Sequence, residues 1–328
     1  MAKVLVDTRN MERDEWLDWR KKGIGASEAA SILWLSKWAT PMTVFLDKID
    51  AIEPEEQSNF QEWGLALEDV IAKHFKKETD SEGYDYRVQR RNAILMHDQH
   101  DFMLANLDRT VYSKEEGWGV LELKTASEYK DKEWDEDEQK APENYVIQVQ
   151  HQLAVAGPNY TYGWLAALVG GNKFYKVRIP RDEVIIEALI EIEREFWQLV
   201  INKTPPEMDA SAATKKALGL VYGKAIEGAE LDVSEQAADV AEWIRKYKKA
   251  GEAKKKIEAV QDLAGNRLKA LLKENDFATI EGVPAYKWSR WEETRVDSKL
   301  LKSDFPEVFE KVTKTGQKGR LSFLGGYK

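Results

Sequence analysis

The chain has 328 residues, 43% hydrophobic and 33% charged, an ordinary balance for a globular protein built as one large domain or as a core with an appendage. With no run of about 18 apolar residues and no basic-then-apolar start, neither a membrane span nor a signal peptide is expected. Cysteine is absent, which excludes disulfides, thiol catalysis and Cys-based zinc or iron–sulfur sites and suits a reducing cytoplasm. The net charge of −9 is unlike that of a protein that coats nucleic acid, but a DNA enzyme can be acidic if its positive groups line one channel.

Met11 to Ile32 opens with Trp16 and Trp19 one helical turn apart, then Arg20 and KKGIGASEAASIL. Gly23 and Gly25 break the helix, and Ser27 is placed as N-cap of a second helix through Glu28 and Ile32. The free amides of that start, with Ser27 and Arg20, make an anion pocket, or else a plain capped helix whose arginine pairs with an acid. WATPMTVFLDKI, Trp38 to Ile49, reads as a turn and an amphipathic helix with Pro41 near its first position. Glu55 to Phe75 reads as a longer helix with a core stripe of Phe60, Trp63, Leu67, Ile71 and Phe75. Glu68, in line with Gly64, is either solvated or a third carboxylate for a site. Tyr84 to Met96, with Arg87, Arg90 and Arg91, reads as one strand.

Leu104 to Ala126 is the chemical centre: LANLDRTV, a charged turn, then GVLELKTA. Side chains alternate faces along a strand, so Glu122 and Lys124 share one face while Leu121 and Leu123 point into an apolar layer. Asp108 and Glu122 can hold a hard divalent cation, best Mg²⁺, through oxygen ligands. Lys124 can orient or deprotonate a water, or neutralise charge on a phosphate. In isolation the D-(x13)-E-L-K pattern also fits a solvated, salt-bridged hairpin.

Ser127 to Pro142 reads as an exposed charged loop. In NYVIQVQHQLAVA, Asn144 to Ala156, a helix puts Tyr145, Gln148 and Gln152 on one face, as donors and acceptors or as a plain polar surface. Tyr160 to Val169 and Lys173 to Ile179 form a hairpin across Gly170-Gly171-Asn172, and Asp182 to Asn202 an amphipathic helix before Pro205-Pro206. Four scattered histidines carry no close ligand spacing, and no phosphate-binding P-loop occurs. The expected fold is an α/β or α+β core with a mixed sheet flanked by helices over residues 1–206. A linker at 207–232 and a C-terminal arm at 233–328 follow. The arm holds a Lys/Glu-rich helix, Val233 to Asn275, with an apolar seam from Trp243 to Leu271, two short β runs, and a basic tail from Lys311.

Five ordered stretches together resemble one family: W-R-x-x-G-I-G-A-S-E at Trp19–Glu28, W-G-x-x-L-E at Trp63–Glu68, FMLANLDR at Phe102–Arg109, LELKTAS at Leu121–Ser127 and Y-x-x-Q-V-Q-H-Q at Tyr145–Gln152. The chain resembles the YqaJ-type viral recombinase exonucleases, related to the phage lambda exonuclease in the PD-(D/E)xK nuclease superfamily. That resemblance implies a PD-(D/E)xK core and 5′→3′ digestion of one strand of linear duplex DNA. It implies Mg²⁺ (Mn²⁺ can substitute) on Asp108, Glu122 and the Leu123 carbonyl, with Lys124 activating or orienting the attacking water. Glu68 then supports the metal shell, Gln148 and Tyr145 position the nucleophile or phosphate, and Arg20 with Ser27 anchors the 5′-terminal phosphate. It further implies a homo-oligomeric ring, commonly a trimer, a single-strand annealing partner of the RecT or Red-beta type, and a phage- or prophage-encoded protein in a bacterial cytoplasm. Docking of that partner on the C-terminal arm follows from the arm's separate composition. The alternatives are a structure- or sequence-selective endonuclease on the same core and a catalytically idle scaffold for DNA ends.

Overall fold

The β-rich middle of the chain divides between two sheets in the computed structural model, which describes residues 2–53, 57–137, 139–223 and 229–313. The first of two units, Met1–Tyr222, begins with β1 (Lys3–Asp7), α1 (Arg13–Arg20), β2 (Ile24–Gly25), α2 (Ala26–Ile32), α3 (Pro41–Lys48) and α4 (Asn59–Ser81). It continues with β3 (Arg87–Gln89), β4 (Ala93–Met96), β5 (Met103–Asn106), β6 (Arg109–Ser113), β7 (Gly117–Ala126) and α5 (Glu143–Ala156). It ends with β8 (Tyr160–Val169), β9 (Lys173–Pro180), α6 (Glu183–Ile201) and α7 (Ala212–Tyr222). The second unit, Gly223–Lys328, holds α8 (Ala237–Leu272), β10 (Phe277–Ile280), β11 (Val283–Lys287), α9 (Ser298–Asp304) and α10 (Pro306–Val312).

One sheet runs β1-β4-β5-β2 and the other β3-β6-β7-β8-β9. The larger sheet is antiparallel except between β7 and β8, which run parallel with Glu122 opposite Leu165. Parallel neighbours need a crossover, and α5 supplies it. The alternation along β7 then decides what each face of the sheet sees. Val120 joins Val149 and Leu153 of α5 and Leu165 of β8 in one core. Leu121 and Leu123 join Ile71 and Phe75 of α4 and Trp164 of β8 in a second. Glu122 and Lys124 are therefore on the side covered by α5, and β7 is a mixed-sheet strand sandwiched between helices, as the fold-class expectation holds.

Several local expectations change. Gly25, not Ser27, is the N-cap of α2, because the Glu28 carboxylate at the third helical position accepts the Gly25 N–H at 2.7 Å and frees Ser27 from capping. The single strand foreseen at Tyr84–Met96 breaks into β3 and β4, which belong to different sheets. The Ser127–Pro142 loop contains a 3₁₀ turn at Glu128–Glu133 and is pinned by the buried Trp134, whose ring lies 5.9 Å from Tyr145 and 6.2 Å from Tyr175. The stripe of α4 is a core stripe only from Leu67 onward. Phe60 and Trp63 are 86% and 65% exposed, because the first turns of α4 run beyond the apolar layer that Ile71 and Phe75 fill.

Beyond Pro206, the stretch expected as linker folds. The Thr214 hydroxyl is buried, 2.9 Å from that of Thr40 and 2.6 Å from Asp209, and Ala217 is buried with it, so α7 closes over α3 within the first unit. The boundary between units falls at Tyr222/Gly223. In the second unit the hairpin of β10 and β11 packs on the end of α8, where the Tyr286 hydroxyl donates to the Leu268 carbonyl at 3.1 Å. The basic tail beyond Thr313 lies outside the described residues.

Candidate active site

Asp108 occupies the corner where the chain leaves one sheet and enters the other. β5 ends at Asn106, β6 begins at Arg109, and buried Leu107 pins the turn. From that corner the Asp108 Oδ2 accepts the Leu123 N–H at 2.9 Å, tying the carboxylate to β7 beside Glu122.

Glu122 is 2% exposed, and both of its oxygens are engaged. Oε1 accepts the Gln148 side-chain amide at 2.5 Å and lies 2.6 Å from the Lys124 ammonium. Oε2 accepts the Gln152 amide at 2.6 Å. Gln148 and Gln152 are four residues apart on α5, so one helical face covers the whole carboxylate. The Lys124 ammonium also lies 4.9 Å from the centre of the Tyr145 ring, within cation–π range.

Behind Asp108 stands Arg109, buried at 4% exposure. Its guanidinium donates to the Asp108 carbonyl and to Asp69, each at 2.5 Å, and reaches Glu68 at 3.4 Å. Arg90 adds a second cation, 3.2 Å from Asp69 and 3.7 Å from Glu68. Glu68 thus meets the site through Arg109, with no direct bond to Asp108 or Glu122.

The electrostatics follow from crowding acids in a dry place. Burial, reinforced by the charges of Glu122 and Glu68, raises the Asp108 carboxyl well above the usual carboxylate range, against the pull of Lys124. Glu68 is raised by burial, with Arg109 and Arg90 opposing. For Lys124, burial works against the charged form, but Glu122 and Asp108 outweigh it and hold the proton on.

Arg20 and Ser27 form a second cluster, on the side of α2, which packs against α5 and β5. The Arg20 guanidinium donates to the Ser27 hydroxyl at 3.3 Å and to Glu28 at 3.0 Å, and stacks 4.8 Å from the Trp16 ring centre. Glu28 also accepts from the fully buried Lys48 at 2.8 Å. Burial disfavours the Glu28 charge, yet Lys48 and Arg20 bring its pKa below the usual range.

The structure brings together Asp108, Glu122, Leu123, Lys124, Gln148 and Tyr145, links Glu68 to them through Arg109, and sets Arg20 and Ser27 in the separate cluster. Gln152, expected on one face with Tyr145 and Gln148, holds Glu122 directly, whereas Arg109 and Asp69 escaped the sequence reading as members of the site. Arg109 could have been found from its place directly after Asp108. Nothing in sequence flags Asp69.

Among the described residues, no group of three His, Cys, Asp or Glu side chains is arranged to hold a metal. Mg²⁺ does not require such a cage. It binds through one or two carboxylates and keeps several waters, and two carboxylates with a backbone carbonyl are hard oxygen donors of that kind. Asp108 and Glu122 are buried acids held close together through β7, and a divalent cation relieves both the burial and the repulsion of their charges, so the residues fit the ion.

Fold and constellation together define an α/β protein in which the D…ExK arrangement is assembled in three dimensions. The chain belongs to the YqaJ-like viral recombinase family. The family's sequence profile matches residues 15–159. The YqaJ protein of Bacillus subtilis (strain 168) is 37% identical over 315 residues, covering 95% of this chain and 94% of that one. Among solved structures the chain is similar to LHK-Exo, an alkaline exonuclease from Laribacter hongkongensis, at 16% identity and TM-score 0.43, over 58% of this chain and 94% of that chain. It is also similar to a phage-related exonuclease from Haemophilus somnus 129PT, at 10% identity and TM-score 0.41, over 57% and 99%. Among the described residues no helix is long and apolar enough to cross a membrane.

Proposed function

We propose that this protein is a Mg²⁺-dependent nuclease that degrades linear duplex DNA from its ends in the 5′→3′ direction, leaving 3′ strands for annealing-type recombination. The observation that carries the reading is the convergence of Asp108, Glu122 and Lys124, each held by buried neighbours. Asp108, Glu122 and the Leu123 carbonyl are the residues to hold the ion. When bound it supplies Lewis-acid stabilisation of phosphorane charge and a more acidic water.

The remaining roles belong to the protein's own groups. Lys124, 2.6 Å from Glu122, is placed to orient the attacking water and neutralise a phosphate oxygen. Gln148 and Gln152 fix both oxygens of Glu122, which limits the rotamers open to that ligand. Tyr145 flanks the ammonium and restricts where it can point. Arg109 holds the Asp108 backbone and couples Glu68 to the site. Arg20 and Ser27 are the anchor for a 5′-terminal phosphate, the ring is a trimer of this chain, and the exposed 3′ strand passes to an annealing protein.

One observation favours a second reading, an endonuclease on the same core. Arg20 and Ser27 already bond each other, and Arg20 also bonds Glu28, so the anchor has internal partners. Digestion with Mg²⁺ of linear duplexes bearing a 5′-phosphate or a 5′-hydroxyl, beside a covalently closed circle, separates the two. Faster loss of the phosphorylated end with an intact circle supports the exonuclease. Cutting of the circle favours the endonuclease.

A further inference from the structure

The second unit carries a basic surface that the nuclease site does not use. Residues 245–256, RKYKKAGEAKKK, hold seven Lys and Arg against the single Glu252, a net +6 within a chain of net −9. All twelve residues are exposed on α8.

The charges are sorted by face. At 3.6 residues per turn, Arg245, Lys248, Lys249, Lys255 and Lys256 fall within an arc of about 120° that also holds Glu252. Lys246 and Lys254 lie off that arc, and both are paired within the helix, to Glu242 at 2.6 Å and Glu258 at 3.7 Å. On the arc, no ion pair among the described residues engages Arg245, Lys249, Lys255 or Lys256. The helix pairs the lysines off the arc and leaves these four cations on it without an ion pair among the described residues. Like charges at helical spacing repel one another, so the stripe is a local cost to the helix.

We propose that this stripe is a second, sequence-independent docking surface for the DNA phosphate backbone, separate from the nuclease site. The inference rests on the reading that DNA is the substrate. The stripe is about 16 Å long, which spans roughly five phosphates along one strand. Flexible lysines match an anionic polymer of fixed charge density and carry no base-reading geometry. An anionic membrane is the poorer occupant. Beside the stripe the apolar seam is broken, because between Tyr247 and Ile257 the opposite side carries Lys254 and no large apolar residue to bury. A tether of this kind raises the local concentration of DNA for an otherwise acidic protein.

The test uses the full-length protein in EDTA, where cutting is suppressed, with a fluorescein-labelled 30-base-pair duplex followed by anisotropy over a series of KCl concentrations. The variant R245Q/K249Q/K255Q/K256Q is compared with the wild type after circular dichroism shows equal helix content. Each lost phosphate contact lowers the slope of log K against log[salt] by about 0.9. The expected result is binding weakened at least about tenfold at low salt, with the slope shallower by up to about 3.6 for the four contacts. Unchanged affinity and slope overturn the proposal. So does a variant that loses binding to phosphatidylserine vesicles or to polyglutamate while keeping its affinity for DNA. Wild-type protein that binds through the stripe yet never cuts DNA with Mg²⁺ leaves this inference standing and removes the nuclease reading. Cutting with an unaffected quadruple variant does the reverse.

Discussion

Glu122 is the residue on which the site turns. An isolated buried carboxylate is unfavourable, and this one is made tolerable by two glutamine amides and a lysine. Replacing Lys124 with Ala leaves Glu122 with its amide donors only, and the fold is expected to survive because Gln148 and Gln152 remain. DNA cleavage is expected to fall by about 10²–10³-fold, the ordinary worth of one positioned donor to developing charge, read as initial rates at matched thermal stability. Gln152→Ala strips the amide donor from Glu122 Oε2 and leaves Gln148 and Lys124 on Oε1. That change is expected to weaken cleavage less than Lys124→Ala and to destabilise the fold by about 1.5–3 kcal/mol, as loss of a hydrogen bond to a charged group does, measured by urea unfolding. Asp108, Glu122 and Lys124 were legible in sequence because strand alternation and spacing place them. Asp69 was not, because its part depends on α4 and β6 meeting across 40 residues of chain.

At the scale of elements, a buried pair locks α5 in place. His151 is wholly buried, with Nε2 2.9 Å from the Leu104 carbonyl of β5 and Nδ1 2.8 Å from Glu193 of α6. A carbonyl only accepts, so Nε2 carries a hydrogen. Burial works against the imidazolium, but Glu193 outweighs it and raises the pKa, with a smaller upward pull from Glu28. A raised histidine gives stability that is complete below its unfolded pKa of about 6.5 and is lost as pH rises through the folded value. The melting temperature of the wild type is therefore expected to drop between about pH 6 and pH 9 more than that of His151→Gln, which loses the titrating group. Equal pH profiles would contradict the pairing. Removing one partner, as in Glu193→Ala, is expected to cost about 3–5 kcal/mol by chemical denaturation. On α4, Trp63→Ser is expected to change stability by less than about 0.5 kcal/mol and Phe75→Ala by about 3–5 kcal/mol, because only Phe75 is buried. Helical periodicity gave both residues the same standing in the sequence. Periodicity reports a face, and it does not report where along the helix the sheet ends.

For the whole molecule, the boundary between units at Tyr222/Gly223 changes what a truncation means. Pro205-Pro206 reads as a domain end because two prolines stop a helix, yet the chain returns as α7 to bury Thr214 and Ala217 against α3. A chain ending at 222 is expected to melt as cooperatively as the first unit of the full-length protein, whereas one ending at 206 is expected to melt lower, by differential scanning calorimetry. The order of motifs along the first 160 residues carried the family and the core of the site. The long contacts that close α7 over α3 left no trace in local composition. The central claim is that Asp108, Glu122 and Lys124 make a metal-dependent nuclease centre. Its most direct measurement is release of acid-soluble nucleotides from linear duplex DNA with Mg²⁺ and with EDTA, by wild type, Glu122→Gln and Lys124→Ala, all shown to be folded. Release by the wild type with Mg²⁺ alone, and by neither variant above background, is the expected result. Release that persists in Glu122→Gln, or that ignores EDTA, would contradict the assignment of this site.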